Sequence, residues 1–238
     1  MAINTEKYQE IINELKGKAT LVAVSKTKPV EDIKTLCDLG QRDFGENYVQ
    51  ELVDKQPLLP NDVRWHFIGH LQSNKVKFIA PFVHLIHGVD SLKLLQEINK
   101  QAAKNNRVID CLLQVHIAKE ETKFGMDEVE LNEAISQLAN MPMKNVRVAG
   151  LMGMASFSED VDLVRSEFKY LKGLFDKVTG ESPAIGQRPT INSSLSTANC
   201  QLSTLSMGMS GDYKIAIEEG SNMVRIGSLI FGERNYNK

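Results

Sequence analysis

Eight short apolar runs, each followed by a stretch with helical spacing, recur along almost the whole chain. The runs read as strands over residues 21–26, 43–45, 64–69, 82–89, 108–117, 146–154, 205–209 and 223–231. They are apolar nearly throughout instead of alternating, so both faces of each strand are buried, and a parallel sheet follows. Between them lie helices over 30–39, 46–56, 73–80 and 212–219, and others opened by Ser91, Asp127 and Ser158. The clearest carries Val161, Val164, Phe168, Leu171, Phe175 and Val178 at spacings of three and four and ends at Gly180. Eight such units in 238 residues fit one closed (β/α)8 barrel. A helix before the first strand, capped by Asn4 or Thr5 and lined by Tyr8, Ile11, Ile12 and Leu15, is an extra element. No segment remains for a second domain, so residues 1–238 read as one barrel domain. An open doubly wound sheet would ask for a glycine-rich turn after the first strand. Lys26-Thr27-Lys28-Pro29 stands there instead. Residues 189–203, rich in Ser, Thr and Asn, read as loop.

The formal net charge of -2 gives no reason to expect nucleic acid or an anionic membrane as partner. No apolar stretch approaches the ~18 residues of a membrane span, and the first residues lack a signal-peptide core. Cys37, Cys111 and Cys200 show no metal or redox spacing. Their odd number reads as reduced thiols in a cytoplasm.

The chemistry gathers at the strand ends, where barrels place their active sites. The first strand ends at Lys26, and an amine leaving a buried strand is solvated, paired, or neutral and reactive. Desolvated lysines form Schiff bases. Lys28, two residues on, points to the same face, so alternation does not choose between them. The seventh strand leads into Ser206-Met207-Gly208-Met209-Ser210-Gly211-Asp212, and the eighth holds Arg225-Ile226-Gly227-Ser228. Glycines let backbone N–H groups approach an anion, and barrels often bind phosphate between these two loops. An amine and a phosphate cradle on one rim are what pyridoxal 5'-phosphate requires. Arg225 is either a third handle, keeping a pyridine nitrogen unprotonated, or one half of a buried ion pair.

These motifs resemble the pyridoxal phosphate homeostasis protein family, related to the alanine racemase N-terminal domain. The resemblance rests on Ala23-Val24-Ser25-Lys26-Thr27-Lys28, Phe44-Gly45-Glu46-Asn47-Tyr48-Val49-Gln50-Glu51, Trp65-His66-Phe67-Ile68-Gly69-His70-Leu71-Gln72-Ser73-Asn74-Lys75, Leu205-Ser206-Met207-Gly208-Met209-Ser210, and Val224-Arg225-Ile226-Gly227-Ser228 with Phe231-Gly232. It implies a binding protein for intracellular pyridoxal 5'-phosphate homeostasis, with the cofactor held as a Schiff base on Lys26. It also implies that Ser206, Met207, Gly208, Gly227 and Ser228 surround the phosphate, that Arg225 meets the pyridine nitrogen, and that Asn47 and Met154 line the ring. A monomer with apoenzymes as cofactor recipients is the matching expectation. The stretch 188–201 departs from the family pattern by its length and its Ser/Thr content.

An amino-acid racemase is the alternative. It needs a second acid/base on the ring face opposite Lys26. Racemase relatives take a tyrosine from another domain, and Tyr48, Tyr170, Tyr213 and Tyr236 are not obvious substitutes. A scaffold without cofactor leaves Lys26, Arg225 and the glycines unexplained. His66 and His70 stand ~13 Å apart on a strand, too far for one metal ion, and read as satisfied polar groups at the rim. His84 and His87 are expected on opposite faces, so no metal site is expected. The run 119–123 reads as a solvated loop from which Lys123 could reach the cofactor. Gly208-Met209-Ser210 lacks the second glycine of a nucleophile elbow.

Overall fold

The computed structural model describes residues 3–119, 124–141, 143–180 and 200–233. Its centre is a closed barrel of eight parallel strands in sequence order, β1 (Thr20–Val24), β2 (Asp43–Glu46), β3 (Arg64–Phe67), β4 (Leu85–Val89), β5 (Ile109–Val115), β6 (Val146–Gly153), β7 (Cys200–Ser206) and β8 (Met223–Ile226). β8 closes against β1, pairing Val22 with Arg225 and Ala23 with Ile226. The helices are α1 (Thr5–Leu15), α2 (Val30–Asp38), α3 (Val49–Lys55), α4 (Val76–Ile79), α5 (Leu92–Lys104), α6 (Glu128–Asn140), α7 (Val161–Thr179), α8 (Tyr213–Glu218) and α9 (Ser228–Phe231). Among the described residues no helix is long and apolar enough to cross a membrane.

Local chemistry sets several boundaries. Asn4 caps α1 by accepting from the Lys7 amide, and Asp127 and Glu130 form a reciprocal capping box on α6. Gly180 ends α7 in the left-handed conformation. α7 opens at Asp160, not at Ser158: the Asp160 carboxylate accepts from the Asp162 and Leu163 amides, and Ser158 in turn accepts from Asp160. Glu46 ends β2 instead of opening α3, which starts at Val49.

Two strands differ from the sequence reading in ways that matter for the site. β7 begins at Cys200, inside the Ser/Thr-rich stretch, and stops at Ser206, so Met207, Gly208 and Met209 form a loop. Pairing with β6, Thr204 opposite Gly150 and Leu205 opposite Leu151, imposes strand geometry that hydropathy does not signal. Residues 181–199 lie outside the described set, and with them most of the unusual 188–201 stretch. β8 spans four residues only. After Gly227 the chain turns into α9, with the Ile230 and Phe231 amides bonding back to the Gly227 carbonyl. Leu229-Ile230-Phe231 is apolar enough to read as strand, and periodicity alone does not separate a buried strand from one helical turn.

Candidate functional site

Lys26 leaves β1 through a tight turn that is braced from below. The Ser25 carbonyl accepts from the Lys28 amide at 3.0 Å and from the Lys55 ammonium at 2.8 Å. Lys55 also holds Glu46 at 2.8 Å and Glu51 at 2.6 Å, and the Ser25 hydroxyl donates to Glu46 at 2.7 Å. Thr27 has φ +62°, a left-handed conformation costly for a β-branched residue, and its amide is held by Glu51 at 2.6 Å. Burial pushes the Glu46 carboxyl up to about 7 against the pull of Lys55 and Ser25, and its Oε2 has no partner.

The structure separates the two lysines that alternation left equivalent. The Lys28 ammonium sits 2.8 Å from the Phe231 carbonyl and 3.2 Å from those of Gly232 and Glu233. All three of its protons are spent on the end of α9. Both lysines line a cavity of about 620 Å³ at the C-terminal mouth of the barrel, so it is the bonding of the Lys28 ammonium, not its place, that distinguishes it from Lys26.

Asn47, Met154, Arg225, Gly227 and Ser228 line the same cavity. Arg225 is buried on its floor, Nη1 2.6 Å from Ser206 Oγ and Nη2 3.0 Å from the Gly153 carbonyl. No carboxylate among the described residues stands within ion-pair distance of Arg225, although Asp212, which lines the same cavity, acts on it electrostatically. Burial lowers its pKa to about 10, which leaves it cationic at neutral pH. Gly227 lies so close to β1 that a Cβ there would stand 3.1 Å from the Val24 carbonyl oxygen. Its amide donates to Ser210 Oγ at 3.3 Å, which leaves the Ser210 hydroxyl proton available to an anion.

Three expected phosphate neighbours sit elsewhere. Ser206 is buried under Arg225, with its hydroxyl also 3.3 Å from His87. Met207 packs in the outer apolar core. Gly208 shapes the loop: its φ is +97°, a Cβ would meet Ala216 Cβ at 2.6 Å, and its carbonyl accepts from the Arg225 amide. Ser210 and Gly211 line the cavity in their place. The shift follows from β7 ending three residues before Met209, which carries the loop's exposed part forward.

His66 is a second correction. It is buried inside the barrel, 2.9 Å from both Asp43 and His87, while His70 stays at the rim, paired with Asp90 and stacked on Phe124. His84 and His87 both pack on His66, with ring centroids 5.5 and 5.2 Å away, because β4 begins only at Leu85. Among the described residues no group of three or more His, Cys, Asp or Glu side chains gathers to hold a metal ion. No described tyrosine lines the cavity. Tyr213 donates to Glu14, Tyr170 to Glu128, and Tyr48 is exposed beside a different surface pocket. Tyr236 and Lys123 lie outside the described residues.

The residues present fit pyridoxal 5'-phosphate. An amine and a guanidinium share one cavity, Ser210 offers an anion donor, and the buried Asn47 Oδ1 has no partner until a ligand supplies a donor. Residues 2–235 match the family model described as alanine racemase, N-terminal domain. A pyridoxal phosphate homeostasis protein of Aquifex aeolicus is 42% identical over 92% of this chain and 88% of its own. One of Escherichia coli is 38% identical over 92% and 87%. The structure of PipY from Synechococcus elongatus PCC7942 with pyridoxal phosphate bound superposes with a TM-score of 0.81 at 31% identity, covering 95% of this chain and 99% of that one. An alanine racemase of Clostridium difficile shares the fold, with a TM-score of 0.72 at 14% identity over 57% of its length. This chain therefore belongs to the pyridoxal phosphate homeostasis proteins, within the family of the alanine racemase N-terminal domain.

Proposed function

We propose that this chain, as one barrel domain, binds pyridoxal 5'-phosphate and serves its homeostasis, with Lys26 as the site of covalent attachment. The observation that carries the reading is the ammonium chemistry of two neighbouring lysines that both line the cavity with Arg225: the Lys28 ammonium is given to the Phe231, Gly232 and Glu233 carbonyls, and Lys26 is the lysine of the matching family motif. When bound, the cofactor supplies an aldehyde that condenses with an amine and a phosphate that anchors its other end. Arg225 donates to the ring nitrogen and, having no acceptor of its own, keeps that nitrogen unprotonated. Asn47 and Met154 lie against the ring. Ser210, Gly211, Gly227 and Ser228 hold the phosphate, and Gly208 shapes the loop that presents them.

The same geometry argues for holding the cofactor without turning over amino acids. An unprotonated ring nitrogen is a poor electron sink, and no described tyrosine stands opposite Lys26 as a second base. Apoenzymes are the proposed recipients, and a cytoplasmic monomer is the proposed working form.

Borohydride reduction of the loaded protein followed by peptide mapping tests the attachment. The label is expected on Lys26, lost in Lys26→Ala and kept in Lys28→Ala; a label on Lys28 overturns the assignment. Exchange of amino-acid α-protons in deuterated water, with inversion and with loss in Lys26→Ala, would make the protein a racemase.

A further inference from the structure

Five polar side chains cross the barrel interior as an unbroken series of hydrogen bonds, and of these the cofactor reading uses only Arg225. Arg225 Nη1 is 2.6 Å from Ser206 Oγ, and Ser206 Oγ is 3.3 Å from His87 Nδ1. His87 Nε2 is 2.9 Å from His66 Nδ1, and His66 Nε2 is 2.9 Å from Asp43 Oδ1. The members come from β8, β7, β4, β3 and β2, and all five are buried. Asp43 opens β2, at the end of the barrel opposite the cavity, where Arg64 holds it through Nε and Nη2.

The Asp43 end sets the direction of every bond between them once both histidines are taken as neutral. A guanidinium only donates. Asp43 only accepts when ionised; burial would raise its pKa, but hydrogen bonds from Arg64 and His66 outweigh that and hold it below the usual carboxylate range. Arg225 takes one lone pair of Ser206, and where His87 Nδ1 carries no proton the serine hydroxyl donates to it. His87 then carries its proton on Nε2 and gives it to His66 Nδ1. His66 carries its proton on Nε2 and gives it to Asp43. With both histidines neutral, each link has one donor and one acceptor. An extra proton on His66 would aim its Nδ1–H at the His87 Nε2–H. Relieving that clash moves the His87 proton to Nδ1, aims it at Ser206 beside Arg225, and leaves the serine proton without His87. Burial, the largest cause, keeps His87 well below its ordinary pKa, and the Arg225 cation pushes the same way.

We propose that Ser206, His87 and His66 are positioning residues, a one-directional relay that ties the Arg225 guanidinium at the cavity floor to the Asp43 carboxylate at the far end of the barrel. The relay fixes the Ser206 acceptor that, together with the Gly153 carbonyl, holds the plane of the buried guanidinium lining the cavity. What Arg225 meets there rests on the proposed function; the proton pattern of the relay does not.

Imidazole ¹⁵N NMR of the cofactor-free protein tests the pattern directly. Both His66 and His87 are expected as neutral Nε2–H tautomers at neutral pH. An Nδ1–H tautomer or an imidazolium at either residue overturns the relay. Asp43→Asn puts a group that donates as well as accepts at the far end, so it is expected to admit the reversed pattern; unchanged tautomers would show that Asp43 does not set the direction. Ser206→Ala is expected to weaken pyridoxal 5'-phosphate and unphosphorylated pyridoxal alike, each about tenfold, because it loosens a ring contact. A loss confined to the phosphorylated compound would place Ser206 at the phosphate and overturn its role here. If the wild-type protein binds neither compound, the proposed function fails while the NMR pattern still decides the relay.

Discussion

Outside the barrel wall, Phe44 and Trp65 lie on neighbouring strands with ring centroids 6.2 Å apart and meet a continuous layer that includes Leu36, Leu52, Phe168 and Leu171. Inside the wall, the buried apolar cluster shrinks to Leu85, Leu112 and Met152, with Ala149, Met154 and Met223 against it. Asp43, His66, His87, Ser206 and Arg225 share that interior. Barrels of this kind usually fill the interior with branched aliphatic side chains, and burying polar groups costs free energy even when they are paired. The outer layer therefore supplies most of the stability, and on the proposed function the inner series serves the ligand.

The strongest way to break that division is to cut into the outer layer. Phe168 on α7 is fully buried against the strands. Phe168→Ala is expected to lower the unfolding free energy by about 3–5 kcal/mol in urea titration, and to leave the cofactor's absorbance unchanged where the variant is still folded. A loss under 1 kcal/mol, or a loss of cofactor binding by the folded variant, would mean that the two layers are not separable.

The same contrast explains what was legible in the sequence. The outer layer writes itself as apolar runs and helical spacing, so eight strands, their order and the barrel follow from hydropathy. Lys26, Asn47, Met154, Arg225, Gly227 and Ser228, which the family motifs implied, all line one cavity. The inner series leaves no local signal. Asp43, His66, His87 and Ser206 are up to 163 residues apart, and only closure of the barrel brings them into hydrogen-bond range. His66 therefore read as a rim residue and Ser206 as a phosphate contact. The signal that could have found the series is alternation: Asp43 and Gly45, His66 and Ile68, Leu85 and His87 share a face within each strand. Ser210 escaped for another reason, since its place depends on where β7 stops.

One charged cluster intrudes on the outer side of the wall, and it sharpens the comparison through pH. Glu46, under the Lys26 turn, has a folded pKa raised to about 7 from an ordinary 4.5. The native state then binds more protons than the unfolded one between those values. The stability this group contributes is present in full below about pH 4.5 and is lost as pH rises through about 7, by at most ~3 kcal/mol. Glu46→Gln is expected to remove that slope: the difference in unfolding free energy between wild type and variant should drift in the variant's favour from pH 5 to pH 8. A difference independent of pH would mean that Lys55 and Ser25 hold the carboxylate ionised throughout, and that the cluster is an ordinary buried ion pair.

The smallest stability effect is expected where the interior looks most tightly bonded. Arg225 makes hydrogen bonds to Ser206 and to Gly153 and is almost wholly buried, so counting contacts predicts a large loss on removing it. The count omits the cost of holding a guanidinium out of water with no carboxylate against it, which is several kcal/mol and comparable to what the bonds return. Arg225→Met replaces the cation with an apolar chain of similar length, and on the proposed relay the Ser206 proton keeps His87, 3.3 Å away, as its acceptor. The unfolding free energy is expected to change by less than about 1 kcal/mol in either direction, while affinity for pyridoxal 5'-phosphate falls at least tenfold. A destabilisation of about 3 kcal/mol with affinity intact would reverse the reading of the interior: the polar series would then be holding the barrel together, and the difference between the two sides of the wall would be one of composition only.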